Sequence, residues 1–129
     1  MVVLPEKTLQ EEKMKDLELF QEIQNYRKRG VDVALVTVVE TQGSTPREEG
    51  AKMAILPNGS CLGTIGGGCV EVRIKTTALR ILIKERTNQA ITAHLNDEFG
   101  TEDGDVCGGT MTMLVEYLPS SDNELTAGE

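Results

Sequence analysis

Residues 33–39 read Val33-Ala34-Leu35-Val36-Thr37-Val38-Val39. Successive side chains of a strand point to opposite faces. Both alternating sets are apolar here, so the segment predicts a central strand covered on two sides. Upstream, residues 16–29 predict a helix. Leu17, Phe20 and Ile23, flanked by Leu19 and Tyr26, form its apolar stripe. Arg27, Lys28 and Arg29 close it at the end where the dipole favours cations, and Gly30 stops it.

Downstream, residues 42–50 (QGSTPREEG) read as a loop bounded by glycines. Residues 51–56 predict a second strand, Asn58-Gly59 a tight turn, and residues 60–65 a third strand. Gly66-Gly67-Gly68 then opens a helix expected over 69–86. Val70, Ile74, Ala78 and Ile81 share one face of it; Val72, Leu79 and Ile83 share another. A helix apolar on two sides is expected to be sandwiched, within the fold or at a subunit contact. Residues 90–95 and 111–118 alternate as strands do. Between them runs NDEFGTEDGDVCGGT, a loop long enough to suggest function. The expected fold is a mixed α/β (α+β) single domain of about five strands and two main helices. A Gly-rich strand-to-helix turn lies inside it, and no Rossmann domain is expected. Residues 1–13 read as a flexible lead-in, 14–118 as the domain, and 119–129 (PSSDNELTAGE) as a disordered tail.

The net charge of −8 excludes general nucleic-acid binding and attraction to an anionic membrane. Aromatics are 3% with no Trp, so base-stacking platforms are absent too. No run approaches the roughly 18 apolar residues of a membrane span. No basic start followed by an apolar core marks a secretory signal, which makes the cytoplasm the expected compartment. Three cysteines, at positions 61, 69 and 107, do not suggest a disulfide framework. Cys61, mid-strand beside a hairpin, is expected to serve packing.

Three short segments carry the chemistry. Gly63-Thr64-Ile65-Gly66-Gly67-Gly68-Cys69-Val70-Glu71 sits on a strand-to-helix turn. Its glycines admit close backbone approach, and a helix N-terminus offers unpaired N–H groups to an anion. The same position lowers the pKa of a cysteine. The other reading is tight strand–helix packing with Cys69 as a small buried residue. The pattern is neither the phosphate-loop nor the dinucleotide fingerprint. Cys107-Gly108-Gly109 ends the acidic loop, as a close-approach segment or as a plain turn. Gly43-Ser44-Thr45-Pro46-Arg47, with Lys52 nearby, offers hydroxyls, a fork-shaped anion grip and a point charge, or is an ordinary polar turn. A metal set of Cys69, Cys107 and His94 has only weak support, lacking C-x-x-C and a second His. No general base or Ser-His-Asp set is evident.

Together, GSTPREEGAKM, GTIGGGCVE and CGGTMTMLVE, in this order and spacing, resemble the N-terminal domain of the XdhC/CoxI family over about residues 17–118. The resemblance implies a chaperone for the molybdenum cofactor (molybdopterin) of hydroxylases such as xanthine dehydrogenase. It would bind the cofactor transiently, help its sulfuration and help its insertion, without being an enzyme in the usual sense. Carried over to this sequence, the implied cofactor-binding positions are Ser44, Thr45, Arg47, Gly66, Gly67, Gly68, Cys69, Glu71, Cys107, Gly108 and Gly109. Cys69 and Cys107 are the implied molybdenum or sulfur contacts. Implied partners are an apo molybdenum hydroxylase, a cysteine desulfurase, and a separately encoded Rossmann-like half, since family members usually continue into such a domain. A homodimer is expected from the two-sided helix. The alternatives are a persulfide sulfur-transfer protein and a ligand-free dimeric partner subunit.

Overall fold

The computed structural model describes residues 6–43, 45, 48–63, 69–94 and 109–121, with side chains for 15–43, 45, 48–63, 72–94 and 109–121. Helix α1 (Glu6–Lys28) leads into strand β1 (Val33–Gln42), β2 (Lys52–Ile55) and β3 (Cys61–Gly63). Helix α2 (Cys69–Arg80) continues as a wide π-helical turn (Ile81–Glu85), followed by β4 (Gln89–His94) and β5 (Thr110–Leu118). The five strands form one antiparallel sheet in the order β3-β2-β1-β5-β4. This is the mixed α/β class that the alternation of elements predicts.

β1 is the middle strand, and both its faces are covered. Ala34, Val36 and Val38 join Met53, Ile55, Ala93, Met111, Met113 and Val115 on one face, against Ile74, Ala78, Ile81 and Leu82 of α2 and its π turn. Val33 and Leu35 join Ala54 and Leu56 on the other, under Leu19 and Ile23 of α1. The molecule is thus three layers, helix on sheet on helix.

The edges of this plan correct several expectations. α1 begins at Glu6, so helical backbone reaches into the stretch read as a lead-in. Its first turns, EKTLQEEKMK, are rich in Glu, Lys and Gln, strong helix formers that give no apolar periodicity to read. At its end the N–H of Val31 donates to the Tyr26 carbonyl at 3.0 Å and that of Gly30 to Arg27 at 3.1 Å. This closure requires Gly30 to adopt φ +85°. The buried side of α1 is Leu19 and Ile23, whereas Leu17 and Phe20 are 56% and 40% exposed. The two possible stripes differ by a modest rotation about the helix axis, and the sheet decides between them. Cys61 does not pack: it is exposed, because β3 is a three-residue edge strand. The second face of the 69–86 helix is split: Leu79 packs against the core, whereas Val72 and Ile83 are 66% and 61% exposed. The π turn lets consecutive Ile81 and Leu82 both enter the core and leaves Ile83 outside.

Candidate functional site

Strand register brings the ends of β1, β3 and β4 and the starts of β2 and β5 to one end of the sheet. β1 ends at Gln42, which lies opposite Thr110, the first residue of β5. Thr110 also lies opposite His94, the last residue of β4. β2 starts at Lys52, opposite Thr37, and its Met53 lies opposite Gly63, the last residue of β3. The 43–51 loop therefore leaves and re-enters the sheet here, β3 ends here at Gly63, and the chain enters β5 here from Gly109. Ser44, Arg47, Gly66, Gly67, Gly68, Cys107 and Gly108 lie outside the described residues, while Cys69 and Glu71 are described as α2 backbone only.

The 43–51 loop is closed at its base. The N–H of Gly50 donates to the Val38 carbonyl at 2.8 Å and that of Val38 to the Ala51 carbonyl at 2.9 Å. Beside this closure β1 shifts register between Val38 and Glu40, a bulge that turns Val39 outward. Above it lies an open hollow of about 520 Å³ lined by Thr41, Gly43, Thr45, Glu48 and Glu49. Glu49 Oε1 accepts from the Thr41 N–H at 3.3 Å. Thr45 is half-buried. Neither Glu48 nor Glu49 was marked by the sequence reading. Two carboxylates in a loop read as solvated charge until the register folds them over β1.

Lys52 does not project a free charge into this end. Its Nζ is 3.3 Å from Asp16 Oδ2 on α1 and donates to the Gly50 carbonyl at 2.9 Å. The sequence reading of Lys52 as a point charge for a ligand is corrected: α1 supplies its partner. Gly63 has a backbone role. Its φ is +79°, and a Cβ there would lie 2.9 Å from the Lys52 carbonyl oxygen. At this first glycine of the turn, close β2–β3 packing is the observed use. Gly109 is buried where the chain enters β5. His94 is exposed at the same end.

α2 begins at Cys69, six positions after Gly63, so the cysteine opens a helix as the motif predicts. A thiolate at a helix N-terminus is favoured over the thiol by the unpaired N–H groups and the dipole. Among the described residues no group of three or more His, Cys, Asp or Glu is placed to hold a metal ion. Among them also, no helix is long and apolar enough to cross a membrane.

Comparison with known proteins gives this end a context. The sequence profile of the XdhC and CoxI family matches residues 26–94, from the end of α1 to the end of β4. Over 99 residues the chain is 30% identical to an uncharacterized protein of Escherichia coli K12, YqeB, covering 77% of this chain and 18% of that protein. Over 95 residues it is 30% identical to the E. coli K12 molybdenum cofactor insertion chaperone PaoD, covering 71% of this chain and 28% of the chaperone. A crystal structure described as a xanthine dehydrogenase from Bacillus halodurans superposes with TM-score 0.61 at 26% identity, covering 74% of this chain and 29% of that one. The chain thus spans less than a third of the length of each of these relatives. The matched segment includes the motifs at 43–47 and 63–71, and the chain belongs to the XdhC and CoxI family.

Proposed function

We propose that this chain binds the molybdenum cofactor at the shared end of its sheet and delivers it to an apo molybdenum hydroxylase of the xanthine dehydrogenase type. The observation that carries this reading is the register that sets the ends of β1 and β3 and the start of β5, which flank the three glycine-bearing motifs, at one end of the sheet. Family membership supports it, as does similarity to a molybdenum cofactor insertion chaperone and to a protein described as a xanthine dehydrogenase.

The donor set of the described lining suits part of such a ligand. The hydroxyls of Thr41 and Thr45 can donate or accept, and the carboxylates of Glu48 and Glu49 are acceptors matched to the amino and ring N–H groups of a pterin. They do not suit its phosphate. That anion would be held by the N–H groups at the start of α2 and by the glycine-rich backbone before it, with Arg47 as a guanidinium clamp. When bound, the cofactor supplies a dithiolene-held metal, for which Cys69 and Cys107 are soft sulfur ligands. Ser44, Gly66, Gly67, Gly68, Glu71, Gly108 and Gly109 complete the proposed walls.

A second reading is favoured by Cys69 opening α2. Its thiolate would attack the terminal sulfur of a persulfide on a cysteine desulfurase. Cys69 would then carry the persulfide, and the desulfurase cysteine would leave as thiolate, with no net oxidation. Alkylation that titrates near pH 8.5, as for an ordinary cysteine, would remove this reading.

The test of the main proposal is anaerobic loading with molybdenum cofactor of the wild type, Cys69→Ala and Cys107→Ala, read as pterin fluorescence released from the protein fraction. Retention by the wild type with loss in either variant is expected. No retention by the wild type would overturn the proposal.

A further inference from the structure

Lys52, read from the sequence as a point charge for a ligand, is engaged within the fold, and its two partners give it a different role. Along β2 the side chains alternate: Met53 and Ile55 join the core under α2, and Ala54 joins the cluster under α1. Lys52, two positions before Ala54, therefore extends on the α1 side. There its Nζ lies 3.3 Å from Asp16 Oδ2. Asp16 stands one helical turn before Leu19, whose burial together with Ile23 seats α1 on the sheet. The carboxylate is thus carried by a fixed part of the fold. With another N–H the same ammonium turns back along the chain and donates to the Gly50 carbonyl at 2.9 Å.

Gly50 is the base of the loop that walls the hollow. Its N–H is tied to the Val38 carbonyl of β1 at 2.8 Å, and its carbonyl is tied to Lys52 of β2, so it is held from both strands that the loop joins. The two residues before it, Glu48 and Glu49, line the hollow. The Ala51 N–H donates to the Glu48 carbonyl at 3.2 Å, and Glu49 Oε1 accepts from the Thr41 N–H. Where Gly50 is held therefore decides where this wall stands over β1. Two simpler roles for Lys52 fit less well. As an ion pair alone it would contribute little, because the Asp16 side chain is 44% exposed and water screens the attraction. As a ligand contact it would have to leave both partners. The charge-assisted bond to the Gly50 carbonyl is the shorter and stronger of its two contacts.

We infer that Lys52 is the positioning residue of the hollow: anchored by Asp16 on α1, it holds the Gly50 carbonyl and so sets the Glu48–Glu49 wall. This rests on the proposed function for the identity of the ligand, while the holding of the loop is a property of the cofactor-free chain.

The experiment compares the wild type, Lys52→Met, Lys52→Arg, Asp16→Ala and the double variant Lys52→Met/Asp16→Ala, each as the full chain. Amide hydrogen exchange is followed by NMR without cofactor, and anaerobic retention of molybdenum cofactor is measured beside it. Met keeps the aliphatic stem and removes every donor, whereas Arg keeps donors for both partners. Lys52→Met is expected to speed exchange of the Gly50, Ala51 and Thr41 amides about fivefold or more, with the amides of the β1–β5 ladder within about twofold of wild type. Asp16→Ala leaves the Gly50 bond in place and should have the smaller effect. Lys52→Arg should restore the wild-type pattern, and cofactor retention should follow the same order. Equal effects of Lys52→Met, Asp16→Ala and the double variant would mean an ion pair and nothing more, and would overturn the inference. So would loop exchange unchanged in Lys52→Met, whether or not retention falls, or a loosened loop with retention at the wild-type level. If the wild type retains no cofactor, the functional reading fails, and the exchange contrast alone decides whether Lys52 holds the loop.

Discussion

The two ends of the sheet are finished in different ways. Where β1 begins and β5 ends, side chains stitch the backbone shut. Asp32 accepts from the Tyr117 hydroxyl at 3.0 Å and from the Ser120 N–H at 2.8 Å. Arg27 Nε donates to the Pro119 carbonyl at 2.7 Å, and Asn88 Oδ1 accepts from the Tyr117 N–H at 2.8 Å. Ser120 is buried as a result. At the opposite end stand an open hollow with two carboxylates, glycines at positions 43, 50, 63 and 109, and the start of α2. One end spends its polar groups on the fold. The other gathers hydroxyls, carboxylates and glycine backbone around an open hollow, at loops on a rigid scaffold, where function is usually carried.

Substitutions can break or sharpen that contrast. The largest effect is expected from Asp32→Ala, which leaves the Tyr117 hydroxyl and the Ser120 N–H without their acceptor. A loss of about 2–3 kcal/mol in denaturant unfolding is expected, with cofactor retention intact at temperatures where the variant is folded. Loss of retention in the folded variant would mean that the two ends are not separate in role. Next is Gly63→Ala. A methyl group there meets the Lys52 carbonyl at 2.9 Å and the residue sits at positive φ. The expected cost is about 1–2 kcal/mol together with weakened cofactor retention, because the glycine turn starts there. A neutral result would show that the β3 terminus relaxes without strain.

Tyr117 gives a smaller effect with a pH signature. Burial, then its hydrogen bond to Asp32, raises its pKa above the usual 10.0. The folded state therefore favours the protonated phenol. That stabilisation is full below about pH 10 and is lost as pH rises through the raised pKa. Tyr117→Phe should cost about 0.5–1.5 kcal/mol at neutral pH and flatten the alkaline fall in stability. An unchanged alkaline limb would assign that fall to other groups. Smallest is Cys61→Ser, on an exposed edge strand. Within about 0.5 kcal/mol of wild type is expected, with no change in retention.

What the sequence made legible follows from what periodicity reports. VALVTVV announced a strand covered on both faces, and β1 is the middle strand of the sheet with both faces buried. Ile74, Ala78 and Ile81 were legible as a core face for the same reason. Val72, Leu79 and Ile83 were legible as an apolar face, but not that Leu79 packs on the core while Val72 and Ile83 are exposed, since a pattern does not say what covers it. Likewise Leu17 and Phe20 against Leu19 and Ile23 was settled by the sheet and not by α1. The three site motifs stood out as words, but the placing of the strand ends that flank them at one end depends on strand order and register, which are long-range facts. The Lys52–Asp16 pair, 36 positions apart, was invisible on the same ground.

The central claim is that the three motifs build one site. It is tested most directly by treating the cofactor-free Cys61→Ser chain with dibromobimane, which bridges only neighbouring thiols, and mapping the product by mass spectrometry. An intramolecular bridge between Cys69 and Cys107 is expected, suppressed when the cofactor is loaded first. Both cysteines modified singly, with no bridged peptide in the monomer fraction, would contradict it.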